Sequence, residues 1–398
     1  MKKKTTKRVV AALLVTCMTL AVCPISAMAA HIIQPENVFI VPEEDNEEYA
    51  IAYDEFGFAE DGSYQPAVKA WDGVYEIDNV GQLYWFAQQV NSGNCGINGR
   101  IMADLDMSVT DIAWTPIGLG EDLAYTGWFD GGLFKITNMG GMLFGTTDGA
   151  FLEKIAIESG VFYENGTAAD ATGSIVGVMR DSDLIQCYSK ATITEHAFSN
   201  VGGLVGEADG GRIENCFFAG SIHVMWQYGN RTVYVGGLVG GACELTVKNC
   251  FVNAAIDCER IERDERYEEF FEETYIVDQW MSNDVWIGGL IGAKYLSMDS
   301  DYKPTKIINS YYNCDLCGCT EIGNFAQIGI GFEPNPTYAK DTEFFASGDL
   351  LNALTGGKND ILVVWGQDVE GGEAYPHLRT IGWWLEDIIH IVAQMPLF

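Results

Sequence analysis

Along the middle of the chain, glycine and apolar positions recur in one short phrase. It reads Gly-Met-Leu-Phe-Gly (141–145), Gly-Ser-Ile-Val-Gly (173–177), Gly-Gly-Leu-Val-Gly (202–206), Gly-Gly-Leu-Val-Gly (236–240) and Gly-Gly-Leu-Ile-Gly (288–292). Ten residues after the closing glycine come Ile155, Cys187, Cys216 and Cys250, and in the last copy an insertion delays the same column to Ser310. Self-similarity at a period of about 30 residues is the signature of a stacked repeat. Each unit offers an apolar triplet between glycines, a polar turn, an alternating stretch such as residues 212–217 and a second apolar stretch such as residues 219–224. The pattern predicts an all-β, right-handed parallel β-helix, in which each strand pairs with its equivalent one coil away, about 4.8 Å along the axis. Gly145, Gly177, Gly206, Gly240 and Gly292 are expected at corners with positive φ or where coils pass closely. Cys187, Cys216 and Cys250 read as stacked, inward-facing small hydrophobes.

The flanks have a different period. Residues 79–90 begin at a potential cap, Asn79, and place Val80, Leu83, Phe86, Ala87 and Val90 at helical spacing. A short helix here would close the N-terminal end of the stack, whose strand edges are otherwise bare. Residues 101–107 read as one strand, residues 341–355 as a helix ending at Gly356-Gly357, and residues 361–365 and 375–381 as final strands. At the start, Lys2, Lys3, Lys4, Lys7 and Arg8 precede an apolar run over residues 9–22 and the small-residue site Ala27-Met-Ala29. That is the pattern of a secretory signal rather than a membrane span. The expected organisation is a signal peptide (1–29), an acidic irregular leader (30–68), the β-helix (69–330) and a small C-terminal cap (331–398).

Charge narrows the partners. All 56 acidic residues lie beyond residue 30 and five of the 23 basic ones before it, so the processed chain carries 18 − 56 = −38. Such a surface repels phosphate backbones, which argues against nucleic acid. Hydrophobic residues make up 48% of the chain, far from a disordered acidic tail. Loss of Cys17 and Cys23 with the signal leaves 11 − 2 = 9 cysteines, an odd number, so at least one thiol is unpaired or pairs between chains.

The Gly-Gly-Leu-Val-Gly phrases followed by Asn215-Cys216 and Asn249-Cys250 resemble the GLUG motif. Upstream, residues 83–87, Trp114-Thr-Pro-Ile-Gly118 and Phe129-Asp-Gly131 resemble the usual lead-in of such proteins. Downstream, Ser347-Gly-Asp349, Trp365-Gly-Gln367 and Tyr375-Pro376 resemble their usual exit. The likeness spans roughly residues 70–380. It implies a secreted or surface-attached bacterial β-helix, adhesin-like, of the kind also found in the non-catalytic part of immunoglobulin A1 metalloproteases. The protease is not implied: His31, His196, His223, His377 and His390 are far apart and none belongs to His-Glu-x-x-His.

Candidate chemistry lies in two inserts, residues 221–234 and 257–284, at equivalent places in successive units. Stacking should bring both out at one corner, with Trp226, Tyr228, Tyr267, Phe270, Phe271, Tyr275 and Trp280 as candidate ligand contacts. Aromatic rings there suit a glycan or a host or bacterial surface protein, or they pack as a cover. No cofactor is required. Asp181, Asp183, Asp299 and Asp301 sit in turns and are candidate Ca²⁺ ligands or solvated caps. Cys314, Cys317 and Cys319 form a cluster open to a disulfide, internally or to Cys258, or to free thiols. The expected role is non-catalytic binding at an extracellular or cell-surface location. A polysaccharide hydrolase or lyase and a purely structural spacer are the alternatives.

Overall fold

The computed structural model describes residues 51–164, 171–196, 200–227, 233–261, 285–294, 303–317, 338–357 and 364–379. The chain divides after Ile51, and every element below belongs to the unit Ala52–Phe398. That unit is a parallel β-helix. In one coil the chain runs through Val176–Arg180, Asp183–Ile185, Tyr188–Ser189, Thr192–His196 and Asn200–Gly202, then begins the next at Val205–Asp209. Equivalent strands pair in parallel and build five stacked sheets of nine, eight, five, four and four strands. The repeat phrase sets the register: Phe144, Val176, Val205, Val239 and Ile291 are successive partners.

The sequence period predicts two strands and a triplet per unit; five shorter strands are observed. Residues 212–217 show why. They form Arg212–Glu214 and Phe217–Phe218, split at Asn215, whose φ is 55°. The same corner recurs at Lys154, Gln186, Asn249 and Asn309, all with φ between 47° and 55°. Left-handed backbone costs an L residue energy, least for Asn. Residues 101–107 likewise divide between Gly99–Ile101 and Leu105–Asp106.

The closing glycines do not supply these corners. A Cβ on Gly206 would lie 2.5 Å from the Thr172 nitrogen, and one on Gly240 or Gly292 would lie 2.6 Å from the nitrogens of Val201 and Val235. They are glycines because two sheets pass there backbone to backbone. The second glycine of the phrase answers to the next coil and to a side chain. A Cβ on Gly203 would strike the Gly237 carbonyl oxygen and the Phe218 ring, and one on Gly289 the Tyr312 ring. Ser189, Phe218, Val252 and Tyr312 occupy one register column. Where that column is serine, the phrase tolerates Ser174, whose hydroxyl donates to the Gly203 carbonyl.

The residue after each corner carries the second regularity. Its N–H is turned out of the sheet ladder, and the side chain one coil on accepts it. Ile155 N–H donates to Cys187 Sγ at 3.3 Å, Cys187 N–H to Cys216 Sγ at 3.3 Å, Cys216 N–H to Cys250 Sγ at 3.5 Å and Cys250 N–H to Ser310 Oγ at 3.1 Å. Each thiol donates in turn to the carbonyl two residues earlier, 3.2–3.3 Å away, as Ser310 does to Ile308. The three cysteines face inward as expected, but they are hydrogen-bonding groups and not inert packing. Burial pushes the Cys216 and Cys250 thiols well up, so they stay protonated.

Both flanks depart from simple end caps. Helix α1, Val80–Asn91, is capped by Asn79, which accepts from the Gln82 N–H. Its Phe86 meets Tyr125 and Phe129 edge-on and closes the first coils. Within the acidic leader, Phe58 and Tyr64 pack on Tyr84 of this helix, so the stretch around them is built into the fold. In the C-terminal segment, the expected helix is two, α2 (Thr342–Ala346) and α3 (Asp349–Thr355), broken at Gly348 with φ 89°. The expected final strands reduce to the antiparallel pair Trp365–Gly366 and His377–Leu378. These elements lie along the side of the solenoid. They cover Tyr188, Phe217 and Phe251, whose rings stack at 4.8 and 4.9 Å and within 5° of parallel. Phe345, Leu350, Leu354, Trp365 and Leu378 form a second core with Phe217 and Phe251.

The thiol ladder can be tested directly. Cys216→Ser keeps a donor and an acceptor at the site, as Ser310 does naturally, and should shift the urea unfolding midpoint little. Cys216→Ala leaves the buried Cys187 N–H without an acceptor and should destabilise by about 1–3 kcal/mol. Equal losses for the two variants would show that the thiols act only as filler.

Candidate functional site

The corner singled out by the inserts is formed by two four-stranded sheets. One stacks Val161–Glu164, Thr192–His196, Ser221–Gln227 and Ala255–Ile261; the next stacks Ala171–Gly173, Asn200–Gly202, Val233–Gly236 and Val285–Gly288. Every coil crosses from the first sheet to the second here. The crossing residues are 165–170, 197–199, 228–232 and 262–284 in turn. Residues 221–227 and 233–234 of the first expected insert and 257–261 of the second are strand, so the inserts narrow to 228–232 and 262–284; the strands before them are in register from Ser221↔Ala255 to Gln227↔Ile261, and those after them from Val233↔Val285 to Gly236↔Gly288. Both inserts therefore leave and rejoin the solenoid at equivalent places.

Of the candidate contact residues, Trp226 has a placed backbone: it pairs with Arg260 at the end of the strand before the shorter insert. Tyr228, Tyr267, Phe270, Phe271, Tyr275 and Trp280 lie outside the described residues. An aromatic pair stands at the far lip, of which Tyr234 is legible in the first expected insert and Trp286 lies in neither. Tyr234 and Trp286 are register partners directly after the two inserts, both half-buried. The signal for Trp286 was its alternation with Val285 and Ile287, which puts it on the outer face.

The outer face before the inserts is polar. His223 Nδ1 bonds the Asp257 carboxylate, its register partner, and His223 Nε2 stands 3.7 Å from Glu259 Oε2. The two carboxylates address opposite ring nitrogens and so do not converge with the ring on one point. Among the described residues no group of three or more His, Cys, Asp or Glu converges as a metal site. Asp183 is paired with Arg212 Nε at 3.0 Å, and Asp181 makes a left-handed turn with φ 39°. Asp299 and Asp301 lie outside the described residues. Cys314 is exposed and Cys258 and Cys317 half-buried, while Cys319, and with it the pairing expected in that cluster, lies outside them. Glu195 faces inward near the corner and accepts from the Thr172 hydroxyl at 3.3 Å.

Cations elsewhere are spent on neighbouring coils. Arg100 bridges Asp72 and Glu76, Lys154 stands 3.7 Å from Asp130 one coil away, and Lys248 reaches Glu214 at 2.6 Å. At the edge of the flank cover, Glu158 accepts from Lys190 at 2.8 Å and from the Tyr188 hydroxyl at 2.7 Å. Burial alone would raise the Glu158 carboxyl; the ammonium and the hydroxyl outweigh it and hold it below its ordinary value.

Known proteins add the following. The GLUG motif matches residues 199–222, which span the third repeat phrase and its cysteine. A solved protein from Bacteroides ovatus, put forward as an immunoglobulin A1 protease, is 19% identical, with a TM-score of 0.46 over 80% of this chain and 96% of that one. An IgA1 protease structure is 20% identical, with a TM-score of 0.41 over 57% of this chain and 16% of that one. At such scores neither bears on activity. No curated protein matches the sequence. Together, fold and motif define a parallel β-helix protein that carries a GLUG motif. Among the described residues no helix is long and apolar enough to cross a membrane.

Glu158 gives a signed pH dependence. A carboxyl held below its unfolded value stabilises the fold above the ordinary glutamate range, and that contribution is lost as pH falls through the folded value. Glu158→Gln should therefore melt below the parent at pH 7, and the difference should shrink at a pH well below the ordinary glutamate range. Melting curves at the two pH values decide it; a gap unchanged in acid would mean that charge at Glu158 is not the source.

Proposed function

We propose that this chain is a non-catalytic binding protein, secreted or held at a bacterial surface, whose solenoid presents loops from one corner to a glycan or to a surface protein. The observation that carries the reading is the corner itself. Four successive coils cross between the same two sheets, and what takes three residues at 197–199 takes 23 at 262–284. A rigid array that varies mainly at one recurrent turn is built to display that turn. The signal-like start of the chain supports an extracellular setting, and the acidic composition argues against a nucleic-acid role. The aromatic residues of the inserts, with Tyr234 and Trp286 at their lip, suit stacking on sugar rings or anchoring in a partner's pocket.

Grafting tests this without disturbing the coils. Replacing residues 262–284 by the three residues of the 197–199 connection should leave the melting temperature within a few degrees and abolish binding to host mucin on a glycan array. Trp226→Ala with Trp280→Ala should weaken the same binding at least tenfold. Full binding by both variants would rule out the corner.

A further inference from the structure

A second aromatic contact stands well away from that corner, on the hairpin that edges the nine-stranded sheet. Val68–Lys69 and Tyr75–Ile77 pair antiparallel, and the turn between them carries Trp71 with 95% of its surface exposed. No other large hydrophobic residue among those described is so open; Val161, at 67%, comes next. The turn that holds it is not loose. Ala70 N–H donates to the Val74 carbonyl at 2.8 Å, Gly73 N–H to the Ala70 carbonyl at 3.0 Å, and Gly73 takes the positive φ, 86°, that the turn requires. Asp72 accepts from the Val74 N–H at 3.2 Å and binds Arg100 Nη1 at 2.9 Å, while Arg100 Nη2 binds Glu76 at 2.5 Å. Arg100 thus fastens the turn to the next strand. The braced turn fixes the backbone from which the indole projects, so binding has less of the chain left to order.

The sheet beside it is a strip of hydrogen-bonding groups. Glu76, Arg100, Asp130 and Glu153 follow one another in register on the outer face, and Val68 heads the column. Arg100, Asp72 and Glu76 keep 25–30% of their side-chain surface open, so each can still meet a ligand. We infer that Trp71 and this strip form a carbohydrate-binding platform for an uncharged polysaccharide. One indole and one valine are far too little apolar surface for a stable protein interface, which needs about 800 Å² per partner. They are enough for one sugar ring, stacked on the indole while its hydroxyls meet carboxylate and guanidinium. The charge of the strip sets the class. Its carboxylates outnumber its cations, on a chain of net charge −33, so uronate, sulfated and sialylated chains are repelled. This platform is independent of the corner and does not rest on it.

Affinity electrophoresis of the full chain tests the proposal, in gels containing galactomannan or xyloglucan, with polygalacturonate as the anionic control. The parent should be retarded by a neutral polymer and not by the control. Trp71→Ala should lose that retardation at least tenfold in apparent affinity with an unchanged melting temperature, and Trp71→Phe should keep part of it. The corner variant Trp226→Ala/Trp280→Ala should be retarded at this platform like the parent, so failure here and failure at the corner are separable. No retardation by either neutral polymer, or equal retardation of the parent and Trp71→Ala, would overturn the proposal. So would a Trp71→Ala variant whose only change is a smaller mass in solution, because Trp71 would then be covering a second copy.

Discussion

Every part of this molecule is governed by one constraint: in a parallel stack each residue lies directly over its equivalent, about 4.8 Å away. The constraint acts on side chains as strictly as on backbone. It forces Tyr188, Phe217 and Phe251 into near-parallel stacks at 4.8 and 4.9 Å, a geometry free aromatic pairs avoid unless offset. It brings Asp183 beside Arg212 and Glu214 beside Lys248, where like charges would repel. It also leaves each corner N–H with a single direction in which to find a partner, toward the side chain one coil on. Cysteine and serine are the small groups that both accept that bond and return one to a carbonyl. The recurring column is therefore a hydrogen-bond requirement expressed as a residue preference.

Much of this could be read from the chain. The repeat phrase announced the stack and its period, and Asn79 with its apolar spacing announced the first helix. The strands inside a coil were less legible, because a left-handed Lys154 or Gln186 carries no local mark. Only the recurrence of Asn215, Asn249 and Asn309 before the column hinted at corners. The flank cover was hidden for another reason. Phe217 and Phe251 look like interior residues in sequence, and they are buried, but on the outside of the solenoid beneath the C-terminal segment. Periodicity reports which residues avoid water and not what shields them.

The two candidate contact regions differ in the same respect. The corner was legible because length variation shows in sequence when a repeat is known. Trp71 was not, since an exposed tryptophan and a buried one are the same letter, and only the braced turn around it separates a presented ring from a packed one. Trp286 falls between these cases: its alternation was visible, but its place at the lip depends on the strand that pairs with it.

The flank cover has a thermodynamic consequence. In a solenoid whose contacts reach only adjacent coils, melting starts at an end and halts wherever the coils are strong. Here one segment touches Tyr188, Phe217, Phe251 and Tyr311, residues from four successive coils. Those coils cannot come apart singly without stripping the segment from all of them. The middle of the array is thereby tied into one cooperative block.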